Sequence, residues 1–530
     1  MRRWNGWGDD SITYSVPTSA ISFLDRLVGT GHRPKDVSLQ EVLARIPKSR
    51  LPKHGLVSSD PLTRLYHARG QSFPNWVDMR SGLINSFPDG VAYPMSPEDV
   101  VELIQYALRA GIHLIPYGGG TSVVGHIDPI KSKAPVVTID MSRMNHLLDI
   151  DSQSLLATFQ AGVSGPDLEA KLRAHGFTLG HFPQSFEQST LGGWVATRSS
   201  GQQSLRYGRI EKLFAGGRLE TPLGELYIPS FPASAAGPDL REMVMGSEGR
   251  LGILTEAYVR LSPIPEREEF HAVFFPDFQH GVEAVRQILS AGLSLCMLRL
   301  STPNETTTTL ALAGHANLIR ALERLLEIRG LGDGKCMLLL GINGKSNLVR
   351  TNRSEALNIT AKLGGVHVGK TFGQQWHKNR FRTPYLRNTL WEMGYGVDTL
   401  ETAIDWGNTP TMVDQVEAAL RNSILDFGER VHVFTHLSHV YPHGSSVYTT
   451  YLFRLAEDHD ETLARWRAMK SAASQVIITL GGTISHQHGV GLDHRPYLVA
   501  EKGTLGIAAI SILCQQFDPK GIMNPGKLVE

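Results

Sequence analysis

The spacing of apolar residues predicts alternating strands and helices from residue 95 onward. Val100, Leu103, Ile104 and Ala107 recur at helical spacing after a Ser-Pro helix start, and Gly111 ends that stretch. The apolar pair at 114–115 that follows is typical of a short buried strand. The same analysis predicts strands over 136–139, 147–150, 155–161 and 252–261, and a helix over 165–175.

Changes in this pattern divide the chain. Residues 1–85 are irregular and rich in Trp, Pro and Gly, which predicts an N-terminal extension packed on the body. Residues 86–265 are predicted to form a first domain. Between 266 and 470, longer helices such as 316–329 alternate with strands such as 336–342 and 431–436, which indicates a second domain. The last segment, 471–530, returns to glycine-rich loops. The predicted fold class is α+β.

Composition excludes several classes of protein. With 530 residues and a hydrophobic share of 41%, the chain can bury a large core in two or three domains. Its 52 Lys and Arg balance 51 Asp and Glu without a basic run, so no nucleic-acid partner is predicted. The 3 cysteines are too few for a disulfide framework and fit a reducing, cytoplasmic compartment. No signal peptide and no membrane span are predicted.

The stretch PYGGGTS, from Pro116 to Ser122, follows the predicted strand at 114–115. Consecutive glycines let the backbone approach a ligand closely, and successive amide N–H groups can form a nest for phosphate. The loop lacks the GxGxxG spacing and the following helix of a Rossmann dinucleotide site. Two interpretations therefore stay open at this point: a phosphate nest of another kind, or a tight structural turn.

Histidines are concentrated near the C-terminus, at His432, His436, His439, His443, His486, His488 and His494. Val431, Val433 and Thr435 at every second position predict a strand, with the first two of these histidines on one face. Because no acid or cysteine lies among the first four histidines, no metal site is predicted. The pair in SHQHGVG is suited to general acid–base work or to capping backbone groups in a turn.

Other polar residues allow a structural and a functional interpretation. Tyr448 lies in a predicted strand, with Tyr451 on the opposite face, and could be a pocket phenol or a core tyrosine. Arg380, Arg382 and Arg387 could bind a carboxylate or phosphate, or form a solvated helix face. The threonine run at 306–309 is predicted to be a strand or loop.

Three segments resemble the flavin domain of the vanillyl-alcohol-oxidase-type flavoproteins: the PYGGGTS loop, QSFEQSTLGGWVATRSSGQQSLRYGRIE from Gln184, and GSEGRLGILTEA from Gly246. Together with RWNGWGDD near the N-terminus, HARGQS at His67 and SHQHGVG, they make the chain similar to the alkyldihydroxyacetonephosphate synthase-like members of that family. The resemblance is strongest over 95–262. It implies a two-subdomain PCMH-type FAD-binding domain over 86–265, an α+β cap domain for substrate over 266–470, and a C-terminal active-site segment over 471–530 that packs on the FAD domain.

The resemblance implies non-covalent FAD, because a threonine stands at position 121, where covalent relatives often place a histidine. Carried over position by position, the implied flavin contacts are Pro116, Tyr117, Gly118, Gly119, Gly120, Thr121, Ser122, Gln184, Ser185, Phe186, Glu187, Gln188, Ser189, Thr190, Thr197, Arg198, Ser199, Ser200, Glu248, Gly249, Arg250, Leu251, Gly252, Ile253 and Leu254.

The resemblance also implies a reaction, in which the acyl group of an acyl-dihydroxyacetone phosphate is exchanged for a fatty alcohol through an adduct at flavin N5. The matching catalytic residues are Tyr448 as the acid–base phenol, Arg387 as the anion-binding arginine, and His486 and His488 as the outer two of three consecutive histidines. This chain has Gln487 at the middle position, and an amide cannot transfer a proton as an imidazole does.

The alternative is an FAD-dependent D-2-hydroxyacid dehydrogenase of the lactate or glycolate type. In that chemistry Arg387 holds the carboxylate, His488 takes the hydroxyl proton, and hydride passes to flavin N5. The resemblance implies that metal-dependent relatives have metal ligands at the positions that Tyr448 and Gln487 occupy in this chain. A phenol and an amide are poor metal ligands, which argues against a metal-dependent version of this chemistry. Either reaction predicts a small anionic or lipid substrate, and a lipid substrate requires a peripheral membrane contact. The protein is separately expected to be a homodimer.

Overall fold

The computed structural model describes residues 2–313 and 316–529. The N-terminal segment contains helices and is therefore more regular than its composition indicates. Several of its helices begin at a side-chain cap, including Ser38, Asp60 and Ser72, which each accept a hydrogen bond from a first-turn amide. The elements are α1 (Thr18–Val28), α2 (Leu39–Arg45), β1 (Val57–Ser58), α3 (Pro61–Tyr66) and α4 (Phe73–Ser81).

The first domain begins with a small sheet in the order β1-β2-β4-β3. The elements that complete it are β2 (Gly90–Ala92), α5 (Pro97–Ala110), β3 (His113–Tyr117) and β4 (Val136–Asp140). Both β2 and β3 run parallel to β4, and α5 packs its apolar face, including Leu103 and Ile104, in one core with Leu114 of β3. The predicted helix start at Ser96 and its end at Gly111 are confirmed. The glycine loop follows the carboxyl end of β3, where parallel α/β units commonly bind ligands.

A second, antiparallel sheet in the order β5-β6-β10-β8-β9 completes the first domain. Its elements are β5 (Leu147–Asp151), β6 (Leu156–Gln160), α6 (Gly165–Arg173), β7 (Phe177–Thr178), α7 (Leu191–Thr197), α8 (Ser204–Tyr207), α9 (Ile210–Leu213), β8 (Phe214–Thr221), β9 (Gly224–Ile228), α10 (Leu240–Val244), β10 (Ile253–Arg260) and β11 (Ser262–Pro263), which pairs with β7. Trp194 of α7 and Phe159 of β6 lie in the core beneath this sheet.

The second domain is built on an antiparallel sheet whose described strands run in the order β15-β12-β14-β13-β17-β18-β16. Its elements are β12 (Arg267–Phe275), α11 (Phe278–Ser290), β13 (Met297–Ser301), α12 (Pro303–Leu312), α13 (Ala316–Ile328), β14 (Cys336–Gly344), α14 (Ser346–Lys362), β15 (Val366–His367), α15 (Thr371–Asn379), α16 (Thr383–Glu392), β16 (Tyr395–Asp405), α17 (Thr409–Asn422), β17 (Val431–Leu437) and β18 (Gly444–Arg454). The threonine run at 306–309 lies in α12, so its prediction as strand or loop is wrong: Thr302 caps this helix and Pro303 begins it.

The C-terminal segment returns to the first domain after α18 (His459–Thr479) and α19 (Leu498–Phe517). The amide of Leu114 in β3 donates to the carbonyl of Ile522 at 2.8 Å, and the amide of Asn524 donates back to Leu114 at 2.8 Å. The Glu248 carboxylate accepts the amide of Gly491 at 2.9 Å, which ties the SHQHGVG turn to the first domain. By length and composition, Arg495–Phe517 is the one helical stretch in the described parts of the chain that could cross a membrane.

Candidate active site

The glycine loop forms one wall of a cavity of about 690 Å³ between the two domains. Its glycines are required by close packing, since a Cβ on Gly118 would lie 2.2 Å from Thr190 Oγ1, and one on Gly119 would lie 1.7 Å from the Gln188 carbonyl oxygen. Within residues 2–313 and 316–529, the amides of Gly119, Gly120 and Thr121 donate to no protein acceptor. A loop that lines a cavity and presents unused N–H groups fits the pyrophosphate of a dinucleotide.

Most of the implied flavin contacts line this cavity. All of 116–122 lie on it, as do Gln184, Ser185, Ser189, Thr190, Thr197, Ser199, Ser200, Glu248, Gly249, Gly252, Ile253 and Leu254. The remaining implied contacts do not line the cavity. The Phe186 ring stacks on Phe381 at 4.9 Å, and the Arg250 guanidinium donates to the Met523 carbonyl at 2.9 Å. Glu187, Gln188, Arg198 and Leu251 are not among the lining residues either.

Other residues line the cavity besides the implied contacts, and two of them, His126 and Asn524, carry no signal that the sequence analysis used. The α7 backbone from Gly192 to Ala196 lies on the wall, and so do His126 and Asn524. The Asn524 side chain donates to the carbonyl of Glu248 at 2.7 Å and to that of His126 at 3.1 Å. This asparagine comes from the far end of the chain, so only the pairing of residues 522–524 with β3 brings it to the nucleotide wall.

Tyr448 lines the cavity from β18, directly opposite Glu401 of β16 and His436 of β17. Its ring stacks on the His436 imidazole with centroids 4.8 Å apart, and the His436 Nδ1 lies 2.9 Å from Glu305 Oε2. Burial raises the pKa of the Tyr448 phenol above its ordinary value. The phenol therefore stays protonated at neutral pH and can donate a proton. Tyr451, on the other face of the strand, is a core residue whose hydroxyl donates to Asp398 at 3.0 Å.

The SHQHGVG turn brings its polar residues around one buried carboxylate, that of Glu401. Gln487 Nε2 donates to Glu401 Oε2 at 2.6 Å, and His488 Nε2 lies 3.9 Å from the same oxygen. His488 and Gln487 line the cavity, whereas His486 lies behind it with Nδ1 3.1 Å from Glu401 Oε1. Burial lowers the pKa of His488, so its imidazole is neutral at neutral pH and can accept a proton.

Glu401 is the main residue that sequence analysis missed in this part of the cavity. The three imidazoles of His486, His439 and His488 hold the pKa of this carboxyl below its ordinary value despite complete burial. Within its own strand no motif marks it. Its role follows from the pairing of β16 with β18, which places it beside the loop histidines.

Two of the clustered arginines line the cavity, while Arg382 is exposed outside it. Arg387 donates to the Gln71 carbonyl at 2.9 Å, and its guanidinium lies 4.4 Å from the centroid of the Trp76 ring. Arg380 lies over the ring of Phe381 at 4.7 Å. In the described parts of the chain, neither guanidinium has a carboxylate at ion-pair distance. Both can therefore bind an anion, and Arg387 is the one whose charge acts on Tyr448.

Part of the cavity wall next to the second domain is apolar. Its apolar side chains come from α1, α12, α16 and strands β17 and β18 of the second domain: Phe23, Leu24, Leu312, Leu390, Phe434 and Leu452. A wall of this kind accepts a hydrocarbon chain, and no carboxylate other than Glu305 and Asp398 interrupts the described cap-side lining.

Comparison with known proteins agrees with this geometry. Residues 88–228 match the model of the FAD binding domain family, and residues 264–528 match that of the FAD linked oxidases, C-terminal domain. A solved p-cresol methylhydroxylase shares the fold, with a TM-score of 0.68 at 15% identity over 93% of this chain and 98% of that one. The fold and the cavity thus define an FAD-containing flavoprotein of the FAD-linked oxidase class, and the predicted PCMH-type fold and FAD cofactor are confirmed.

More similar proteins narrow the class. An alkyldihydroxyacetonephosphate synthase of Dictyostelium discoideum is 33% identical over 99% of this chain and 93% of its own length, and one of Trypanosoma brucei brucei is 30% identical over 99% and 92%. A solved structure of an enzyme of the same name superimposes with a TM-score of 0.85, at 29% identity, over 99% of this chain and 98% of that one. The chain belongs to the alkyldihydroxyacetonephosphate synthase family, as the resemblance implied.

Proposed function

We propose that this chain is an FAD-dependent enzyme that exchanges the acyl group of an acyl-dihydroxyacetone phosphate for a fatty alcohol, a step of ether lipid synthesis. The observation that carries the proposal is one cavity that joins the glycine-rich nucleotide wall, the arginine at 387 and an apolar wall. A substrate with a phosphate and a fatty chain needs the arginine and the apolar wall together. A small hydroxy acid needs only the arginine.

When bound, FAD would supply a nucleophilic ring nitrogen, which is the chemistry that an exchange of a carboxylate for an alcohol oxygen without net oxidation needs. The chain's own residues bind and orient the reactants. The amides of the glycine loop hold the FAD pyrophosphate. The Arg387 guanidinium holds the substrate phosphate, and its contact with the Trp76 ring fixes its direction.

Tyr448 and His488 divide the proton transfers between them. Burial shifts their pKa values apart, leaving a protonated phenol and a neutral imidazole whose ring centroids are 6.1 Å apart. Groups with opposite shifts are suited to act as acid and base in one reaction. The phenol donates a proton to the departing carboxylate oxygen, and the imidazole takes the proton of the entering alcohol. Return of that proton from His488 to Tyr448 restores both groups for the next turnover. Gln487 transfers no proton and holds the Glu401 carboxylate in place.

The side chain that follows the triple glycine also bears on how FAD is held. Thr121 lines the cavity, and a threonine hydroxyl is a poor group for attachment to the flavin ring. We propose that FAD is bound non-covalently. The purified protein should be yellow, and denaturation with acid should release all of its flavin into the supernatant. Flavin that stays with the precipitated chain contradicts this assignment.

A peripheral membrane contact is part of the proposal, since a lipid substrate must leave a membrane. The stretch 503–517 has no charged side chain, and Leu505 and Ile512 of α19 are 84% and 65% exposed. Sedimentation with phosphatidylcholine vesicles tests this, with Leu505→Lys and Ile512→Lys together expected to abolish binding. A matched change at exposed Leu240 to Lys should leave it intact. The predicted homodimer stays a prediction.

Anaerobic mixing with candidate substrates tests the reaction. An acyl-dihydroxyacetone phosphate with a labelled fatty alcohol should give labelled ether product and free fatty acid, with the flavin oxidised at the end. Lasting bleaching of the flavin by a D-2-hydroxy acid, until an electron acceptor is added, would instead establish the dehydrogenase. Absence of both reactions from FAD-loaded protein would refute the assignment of this cavity to either chemistry.

A further inference from the structure

A cluster of two histidines and one glutamate lies next to Tyr448 and His488, with His439 on the cavity wall and Glu401 and His486 behind it. Glu401 Oε1, His439 Nε2 and His486 Nδ1 all lie within 4.8 Å of one another. Glu401 Oε1 is 3.1 Å from His486 Nδ1 and 3.9 Å from His439 Nε2. The three residues are 2%, 5% and 4% exposed. None of the three serves in the proton transfers proposed above.

The cluster leaves unused ligand atoms pointing at one another. Glu401 Oε1 and His486 Nδ1 face each other at ion-pair distance, but neither atom makes a hydrogen bond of acceptable geometry among the described residues. A buried carboxylate oxygen and a buried imidazole nitrogen that make no hydrogen bond are costly in a dry interior. A cation between them would satisfy both.

The opposite polar atom of each residue is tied to a neighbour. His439 Nδ1 lies 2.9 Å from Ser204 Oγ and 3.1 Å from Ser200 Oγ. His486 Nε2 lies 2.7 Å from the Tyr441 hydroxyl, and Glu401 Oε2 accepts from Gln487. Metal-binding histidines usually donate their other ring N–H to such a partner, which fixes the ring and leaves one lone pair for the metal.

We propose that Glu401, His439 and His486 bind one divalent transition metal ion, with Zn²⁺ as the best match. Two imidazole nitrogens and one carboxylate oxygen form a donor set that zinc favours, with a fourth position left for water. Ligand atoms on tetrahedral zinc are about 3.3 Å apart, so the two histidine nitrogens, which lie within 4.8 Å of each other, must approach by no more than about 1.5 Å. The neighbouring cation, Arg209, is balanced by Glu211 at 3.2 Å.

Zinc here would connect three segments that are distant in sequence. Glu401 lies on β16, His439 in the loop after β17, and His486 in the C-terminal segment. The sequence predicts no metal site because no acid lies among the clustered histidines. The acid comes from another strand, and Gln487, the departure from the triple histidine, orients that acid. The proposal does not depend on the catalytic function, because metal content is measured without substrate.

The experiment measures metal in the FAD-loaded full chain. Protein treated with a chelator is incubated with ZnCl₂, desalted and analysed by inductively coupled plasma mass spectrometry. Wild type should retain about one Zn²⁺ per chain. Glu401→Gln and His439→Gln should each retain at least about tenfold less, since a site with two ligands binds weakly. Two matched controls outside the cluster, Glu417→Gln and His432→Gln, should retain zinc as wild type does.

A second measurement covers the case in which the ligand variants do not fold. Co²⁺ bound to the wild-type protein should give a high-spin electron paramagnetic resonance signal of low symmetry, which oxidised FAD does not obscure because it is diamagnetic. Equimolar Zn²⁺ should remove that signal, and chelation should lower the melting temperature. Zinc far below one per chain in the wild type, or equal zinc in wild type and Glu401→Gln, would overturn the proposal.

Discussion

Replacing Gly119 by alanine isolates the role of the glycine loop. This glycine does not have the positive φ of its neighbour Gly120, so alanine is acceptable to the backbone and only the added Cβ matters. That Cβ would lie 1.7 Å from the carbonyl oxygen of Gln188, about 1.6 Å closer than an ordinary C···O contact of about 3.3 Å. The obstacle is backbone rather than a flexible side chain, so the loop or the 184–190 segment must move. Overpacking of this kind costs about 3 kcal/mol.

The cost should be divided between FAD affinity and stability. If it falls entirely on binding, FAD affinity drops about 150-fold, since about 1.4 kcal/mol corresponds to a factor of ten. Quenching of flavin fluorescence during titration of the deflavinated protein measures the FAD affinity. The melting temperature measures the part of the cost that falls on the stability of the fold. Gly407→Ala, whose Cβ would meet nothing within 4 Å, is the control. Wild-type affinity together with a wild-type melting temperature in Gly119→Ala would refute the packing of these two segments.

Three further predictions address the cavity and the stability of the fold. Tyr448→Phe should lower turnover by about a hundredfold or more while FAD stays bound. The control Tyr451→Phe, which removes a core hydroxyl, should lower the melting temperature instead. Wild-type turnover in Tyr448→Phe would show that the phenol takes no part in the reaction. Arg387→Met should raise KM for the phosphate substrate at least about tenfold, whereas Arg382→Met, on the exposed part of the same cluster, should leave KM unchanged. Burial raises the pKa of Asp493 to about 7, so its contribution to stability is full below about pH 4 and is lost as pH rises through 7. Asp493→Asn should therefore gain up to about 4 kcal/mol over wild type at pH 8, about 1.5 kcal/mol at pH 5 and little below pH 4, as measured by denaturant unfolding. An equal gain at pH 8 and pH 5 would contradict the burial of that charge.

Local patterns in the sequence identified the elements that have strong local signals. The helix from Ser96 to Gly111 has a cap, a proline at its first position and a C-terminal glycine, and it begins and ends where they indicate. The threonine run at 306–309 was misassigned because β-branched residues favour strands on average. In this chain the cap at Thr302 and the packing of α12 on β17 outweigh that preference.

The candidate site was predictable where its residues are adjacent in sequence and hidden where they are not. The glycine loop and SHQHGVG are contiguous motifs, and the structure places them on one cavity. Asn524 and Glu401 carry no motif of their own. The first reaches the nucleotide wall through pairing with β3, and the second faces the histidines through pairing of β16 with β18.

The sequence by itself determined the class of cofactor loop and the strands and helices that have strong local signals, because each depends on residues a few positions apart. Through the family resemblance it also offered Tyr448 and His488 as candidates for proton transfer. The tertiary structure decided which of those groups share a cavity, and it gave Gln487 its partner. It also decided their charge states, since the burial that keeps Tyr448 protonated and His488 neutral exists only when the cap sheet and the C-terminal segment pack together. Long-range strand pairing and desolvation have no counterpart in local sequence spacing.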